Sequence, residues 1–593
     1  MFKFSKSFSL ICFSIVLSFI LNLQLGCTKK TNEKDNSLNV ALQANVKGLD
    51  PIFAADSYSN LVVSHIFEGL LNYEYLKRPY QLKANLAESM PIVSADGLTY
   101  TFKIKKGILF QDNSAFANGK GRELVAADFI YSWKRLADPR NTADGFWIFD
   151  GKIKGLNEWA DLVKAGKANE DTPIEGFQAP DKYTLIIKLN TPYTQLLSVL
   201  AMAYSFVVPK EAVQKYDKDF INNPVGTGPF KLVKWVRNSK ITLEKNPSYH
   251  DAFYPTEGET GDEQQGLLKD AGKKIPLADK LVFTEINEDQ PRWQNFMVGN
   301  FEFVVIPNDN FSTVIKNNKL MSDVEAKGFK LSISPGLDCS YIGFNMKDPL
   351  LGKNKLLRKA MAMAFDSNEF IKKFQNGRGV TAQGPIPPGI DSYDPSFINP
   401  NQINKIEKAK ELLKQAGYPE GKGLPEILFE TTADSKVRQH AEFFTQSMAQ
   451  IGINIKISAN SWPQLQDKIK NSQAQMFQVS WAADYPDAQN FFQLFYSKNV
   501  SPGPNDTGFS NPEFDAFYER SLKTTSATER LALYKKMRDL VVEESPWIFK
   551  FHSVSYDLYH DWLYNFKQNE VANDYLKYLR VDPVLRAKNK GKF

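Results

Sequence analysis

Between Asp96-Gly97 and Gly107 the chain reads Leu-Thr-Tyr-Thr-Phe-Lys-Ile-Lys, apolar and polar in strict alternation over residues 98–105. A period of two closed off by turn residues predicts a half-buried strand. Residues 183–189 and 240–244 carry the same alternation, and residues 38–43 form the first strand of the ordered chain. Helical spacing is interleaved with these segments. Within residues 126–136, Phe129, Ile130, Trp133 and Leu136 fall three and four apart, which turns one face inward. Residues 405–416 repeat that spacing and end at Gly417, a C-cap signal. Strands and helices mix without strict βαβ repetition and without an internal repeat, so the pattern predicts α/β and α+β lobes. At 593 residues the chain has room for roughly three to five folding units. Residues 255–276, with four glycines and five acids, read as a long polar surface loop, and Gln383-Gly-Pro-Ile-Pro-Pro-Gly389 reads as a turn region.

The amino terminus departs from this pattern. Lys3 and Lys6 precede an apolar run over residues 8–23, the layout of an export signal. The run ends in Leu23-Gln-Leu-Gly-Cys27, and a cysteine after a small residue at that point resembles a bacterial lipobox, with Gln24 where the motif usually has Leu. Residues 1–26 are then the signal and Cys27 becomes the lipidated terminus. The alternative is an uncleaved anchor, for which about 16 residues fall short of the roughly 20 that a span needs. Residues 27–37 are polar and aperiodic, a tether. Both readings place the body outside the cytoplasm, on the outer face of a bacterial membrane.

Composition changes the picture at two points. Loss of residues 1–26 removes two lysines and no acid, so the net charge falls from +6 to +4, with both signs interspersed, which is no nucleic-acid signature. Of three cysteines only Cys339 is left in the mature body, which excludes an internal disulfide. Aromatics reach 13% of the chain, more than packing alone usually requires. Catalytic and metal patterns do not emerge. The five histidines are scattered, there is no Cys-x-x-Cys and no Gly-x-Ser-x-Gly, and the spacing of Asp484, Asp487 and Asp506 does not fit a calcium loop. Pro224-Val-Gly-Thr-Gly-Pro229 is closed by proline where a phosphate-binding helix should begin, so it reads as a rigid structural turn. The expectation is a binding protein with no cofactor, no metal and no enzymatic chemistry.

An ordered set of segments carries a resemblance. They run from Leu49-Asp-Pro51 and Ile66-Phe-Glu-Gly-Leu-Leu71 through Leu86-Ala-Glu-Ser89 to Ala126-Ala-Asp-Phe-Ile-Tyr-Ser-Trp-Lys-Arg-Leu-Ala-Asp-Pro139. The series continues with Pro224-Val-Gly-Thr-Gly-Pro-Phe230, Glu244-Lys-Asn-Pro247, Leu357-Arg-Lys-Ala-Met361, Trp481-Ala-Ala-Asp-Tyr-Pro-Asp487 and Ser510-Asn-Pro-Glu-Phe-Asp515. Together, over residues 38–586, they resemble the family 5 extracellular solute-binding proteins, the oligopeptide- and dipeptide-binding components of ABC importers. The resemblance implies a two-lobed periplasmic-binding-protein fold with an extra third domain and a ligand cleft between the lobes. It assigns residues 38–66, 207–303 and 546–593 to lobe I, 67–206 to the extra domain and 304–545 to lobe II. It also implies a monomeric receptor, held to the membrane by its lipid, that passes short peptides to a permease. The same scaffold carries nickel, haem, sugars and opines, and a surface sensing or chaperone-like lipoprotein is a further alternative.

Residue by residue, the resemblance puts Asp484, in Trp-x-x-Asp after Trp481, opposite a peptide ammonium, where a carboxylate in a closed cleft selects for a cation. Tyr485 adjoins it, and Asp487 is expected to cap the next helix. Trp462 matches a side-chain-pocket tryptophan, and Phe146, Trp147 and Phe149 lie where the extra domain contributes an aromatic. Core packing accounts for these aromatics as well. Ile469 and Gln478 stand where tripeptide-binding members carry carboxylate-clamping arginines. Lys436, with Arg438 or His440, is the candidate for a ligand carboxylate, against a solvated helix start.

Overall fold

The computed structural model describes residues 35–590 except 55, 434, 502 and 525. The expected signal 1–26, Cys27 and most of the tether lie outside the described residues. Among the described residues no helix is long and apolar enough to cross a membrane.

The alternating segments become strands within a residue or two of their expected bounds: Ser37–Leu42, Thr99–Lys103, Thr184–Lys188 and Lys240–Lys245. The helical patterns become Ala126–Ala137 and Ile406–Gln415, and Gly417 adopts φ +98° just beyond the second, the left-handed geometry that ends a helix.

Three sheets organise the molecule. The first lobe is built on four strands in the order Ser37–Leu42, Lys280–Glu285, Lys240–Lys245, Phe230–Val236; the first pair is parallel (Ser37 opposite Lys280) and the others antiparallel. A second four-stranded antiparallel sheet joins Ile92–Val93, Thr99–Lys103, Thr184–Lys188 and Phe177–Asp181, with the helix Ala126–Ala137 packed on it. Its core and that of the first lobe merge into one apolar cluster. The second lobe has an eight-stranded mixed sheet whose centre is Trp547–His560, Asp338–Phe344, Met476–Ala482, Ile427–Thr432 and Ile455–Asn460.

The fourteen-residue strand Trp547–His560 spans two parts of this sheet. Its first half pairs with Asp338–Phe344, its second with Phe329–Pro335 and Phe303–Val305. Beyond it the chain returns to the first lobe: Trp562, Leu576 and Val581 enter that core, and Arg586 donates to the Ser37 carbonyl and to Glu302, each at about 2.7–2.8 Å. The strand is therefore a physical link between the lobes.

Two loop expectations have different outcomes. The Pro224–Pro229 turn is structural. A Cβ on Gly226 would lie 2.0 Å from the Ile66 carbonyl oxygen, while Gly228 N–H donates to that oxygen at 2.9 Å. Because the obstacle is backbone, Gly226→Ala is expected to cost about 1–3 kcal/mol, read as a lower thermal unfolding midpoint; an unchanged midpoint would show that the turn has slack. The insertion 255–276, expected as a solvated loop, is instead pinned inward. Asp262 and Asp270 are buried and paired with Lys567 and Arg580, both at 2.8 Å. Its acids are inter-segment ties, because a buried carboxylate must find a cation.

Candidate functional site

Strand Met476–Ala482 runs antiparallel to Asp338–Phe344 with Trp481 opposite Cys339 and Ala482 opposite Asp338. Ala483 N–H still donates to the Leu337 carbonyl, and the chain then leaves the sheet at Asp484. One side chain organises the turn beyond the strand. Asn490, fully buried, accepts from Trp481 Nε1 at 2.9 Å and from Asp484 N–H at 3.1 Å through Oδ1, and donates from Nδ2 to Asp484 Oδ2 at 3.0 Å. A single amide thus fixes the indole and the carboxylate together. Asp487 caps the next turn by accepting from Gln489 N–H at 2.8 Å, and also accepts from Tyr534 OH at 2.6 Å.

Asp484 is half-buried, and desolvation by the surrounding protein pushes its carboxyl up to about 6, offset only by the Asn490 bond. No lysine or arginine among the described residues pairs with it. An enclosed carboxylate without a counter-ion is costly in the empty protein and favourable only when a cation arrives. Tyr193 and Tyr204 of the extra domain face it. Burial raises both phenols, with the Asp484 charge contributing to each. The ring of Tyr204 lies against Gly145, where a Cβ would come within 2.4 Å of it, so the glycine permits the approach of the 145–149 segment.

That segment divides. Phe146 and Trp147 are half-buried at the edge of the core. Phe149 has no exposed surface and sits 5.4 Å from the Trp133 ring and 5.7 Å from Phe177. Phe149 thus takes part in core packing, the alternative open for all three aromatics. Tyr485, only 1% exposed, is buried in the apolar cluster of the first lobe and extra domain although it belongs to the second lobe. Its hydroxyl donates to Gln489 Oε1, and Gln489 Nε2 bonds Tyr518 OH. Tyr80 and Val571 reach the opposite way, into the second lobe's core. The lobes are thus closed on one another around Asp484.

Trp462 opens the helix Trp462–Lys470 and is 51% exposed, away from these contacts. Lys436 is exposed on the helix Ser435–Ala449; Arg438 pairs with Glu442 at 3.0 Å, and His440 is buried against Phe370 and Phe374. The structure does not bring these three to Asp484. What the sequence missed is Asn490, Tyr193 and Tyr204, and a second set of acids by the linking strand. There burial pushes Glu570 up to about 7, with Asp557 and Asp338 adding to it. None of these lies in a local motif.

Comparison with known proteins places this geometry. The model of the bacterial extracellular solute-binding proteins, family 5 Middle, matches residues 81–503. A glutathione-binding protein of Shigella dysenteriae is 29% identical over 545 residues, covering 90% of this chain and 91% of its own. Among solved structures, the periplasmic binding protein DppA of Helicobacter pylori, in complex with the peptide STSA, superposes with a TM-score of 0.72 at 25% identity, over 92% of this chain and 98% of its own. An oligopeptide-binding protein of Borrelia burgdorferi, at 22% identity over 92% of this chain and 100% of its own, shares the fold with the same TM-score. This chain belongs to the family 5 bacterial extracellular solute-binding proteins.

Proposed function

We propose that this solute-binding protein captures short peptides between its lobes and delivers them to the permease of an ABC importer. The observation that carries the reading is Asp484: a carboxylate enclosed by both lobes, aimed by Asn490 and left without a cation of its own. A peptide α-ammonium supplies the missing charge, and lobe closure around it excludes water and strengthens the pair. Binding partners of relatives point the same way, since the Shigella protein binds glutathione and the Helicobacter protein holds a peptide. In this reading Trp481 forms a wall of the ammonium site, Phe146 and Trp147 face the ligand from the extra domain, and Trp462 and Lys436 meet its outer parts. The division into two lobes and an extra domain belongs to the same reading, supported by the strands Ser37–Leu42, Phe230–Val236, Lys240–Lys245 and Lys280–Glu285 sharing one sheet and Ile92–Val93, Thr99–Lys103, Phe177–Asp181 and Thr184–Lys188 another, while the strand Trp547–His560 of the segment 546–593 runs in the sheet of lobe II. So does the lipid on Cys27, which keeps a monomeric receptor beside its permease.

Native mass spectrometry of the full-length protein as purified tests the proposal, because closed receptors retain ligand. Co-purified peptides, released on denaturation, are the expected result. A bound sugar or metal instead would replace the peptide reading with that ligand.

A further inference from the structure

The positive charge of this chain is not spread evenly. Residues 27–35 hold Lys29, Lys30 and Lys34 against Glu33 and Asp35, and residues 583–593 hold Arg586, Lys588, Lys590 and Lys592 with no acid. These twenty residues carry a net +5, while the chain from Cys27 onward nets only +4. The rest of the body is therefore close to neutral.

The fold brings the two stretches to one place. Arg586, on the helix Pro583–Asn589, donates to the Ser37 carbonyl at 2.7 Å and to Glu302 at 2.8 Å, and pairs with the Asp35 carboxylate at 3.1 Å. The acids beside the helix are used inside the fold. Asp582 caps it, accepting from Val584 and Leu585 N–H at 3.1 and 3.0 Å, and Asp561 accepts from Asn589 Nδ2 at 3.2 Å. Lys280, opposite Ser37 in the sheet, is exposed but stands next to exposed Asp279, which offsets it. Lys588 and Lys590 are exposed, and neither ammonium forms an ion pair or a hydrogen bond among the described residues.

Two lysine-rich stretches meeting at one point of the surface suit an extended anionic partner. The position of Cys27 favours a bilayer as that partner. From Cys27 to Asp35 is eight residues, at most about 28 Å when fully extended, so a lipid on Cys27 keeps this face beside the headgroups. A basic patch complements such an anchor, because each lysine close to an anionic surface adds roughly fivefold in membrane affinity. We propose that the face of the first lobe formed by residues 35–37 and the helix Pro583–Asn589 docks on an anionic membrane, its lysines paired with acidic phospholipid headgroups. The lipid sets the distance of the receptor from the bilayer, and the lysines set which face turns toward it. The proposal rests on the reading of Cys27 as the lipidated residue and is independent of the solute.

Co-sedimentation with vesicles tests it, using the mature chain, residues 27–593, with Cys27→Ser so that no lipid contributes. Vesicles of phosphatidylglycerol and phosphatidylcholine in equal parts are compared with pure phosphatidylcholine at low and high salt. With the lysines intact, binding to the acidic vesicles is expected to be tighter by at least about a hundredfold at low salt, and the preference is expected to vanish at high salt. Lys588→Glu, Lys590→Glu and Lys592→Glu combined is expected to bring the two vesicle types within about threefold. Lys405→Glu, Lys408→Glu and Lys414→Glu combined, at exposed lysines of the second lobe, gives the same net charge and is expected to keep the preference. A melting curve checks each fold, and Lys29→Glu, Lys30→Glu and Lys34→Glu combined replaces the first variant should it not fold. Equal binding to both vesicle types overturns the proposal and leaves the lipid and the peptide reading intact. A preference that survives loss of the lysines of this face, or that the second-lobe variant loses equally, also overturns it. The intact mass of the protein from cell membranes reads the lipid separately, and an unmodified Cys27 overturns the anchor on which the docked orientation rests.

Discussion

Asp484→Asn is expected to weaken the binding of short peptides by about 2–5 kcal/mol, the cost of removing one partner of an enclosed charge pair. The asparagine keeps the shape and can still meet Asn490, so the loss reports charge rather than packing. Isothermal calorimetry with a peptide and its N-acetylated form checks it: wild type discriminates between them and the variant does not. Unchanged affinity would remove Asp484 from the site. The raised carboxyl gives the same idea a pH signature. With Asp484 at about 6 in the empty protein, affinity rises as pH passes from 5 to 7 and falls again as the peptide's α-ammonium loses its proton near pH 8, and binding near pH 6 releases a proton. For the empty protein the sign is reversed. The folded state holds this proton up to about 6 whereas the unfolded chain loses it near 3.8, so this group's contribution to stability is lost as pH rises between those values. Ligand removes that penalty, so the thermal shift on binding is larger at pH 7 than at pH 5.

Tyr485→Ala is expected to cost about 3–5 kcal/mol, as for deletion of a buried aromatic ring. Most of it falls on closure, because the ring belongs to one lobe and its pocket to the other. Small-angle scattering should show a larger radius of gyration for the ligand-free variant, with peptide affinity reduced by the same free energy and lobe unfolding little changed. Tyr485→Phe, which loses only the bond to Gln489, should cost about 1 kcal/mol. If scattering and affinity both match the wild type, Tyr485 is no latch.

Much of the fold is legible in the chain because it is encoded locally. Alternation over residues 98–105 and three-four spacing over 126–136 need only the burial of one face, and Gly417 needs only its own freedom at positive φ. Legibility fails where long-range contact decides. Asp262 and Asp270 look like solvated charges in a polar loop, yet Lys567 and Arg580, some three hundred residues away, turn them inward. Phe149 is one of three neighbouring aromatics with equal claims, and only packing against Trp133 and Phe177 separates it from Phe146 and Trp147.

The candidate site divides the same way. The order of residues alone specifies an exported binding protein of mixed α/β lobes, its family, and Asp484 beside Trp481 as the residues to watch, because those follow from periodicity and contiguous motifs. Packing in three dimensions was needed to learn that Asp484 lacks a counter-ion, that Asn490 aims it, that Tyr485 crosses between lobes, and that Arg586 brings two lysine-rich stretches together. Its contact to Ser37 joins residues 549 apart in the chain. Charge compensation depends on every neighbour in space: the pattern along a chain shows which residues are buried, but not which of them are left without a partner.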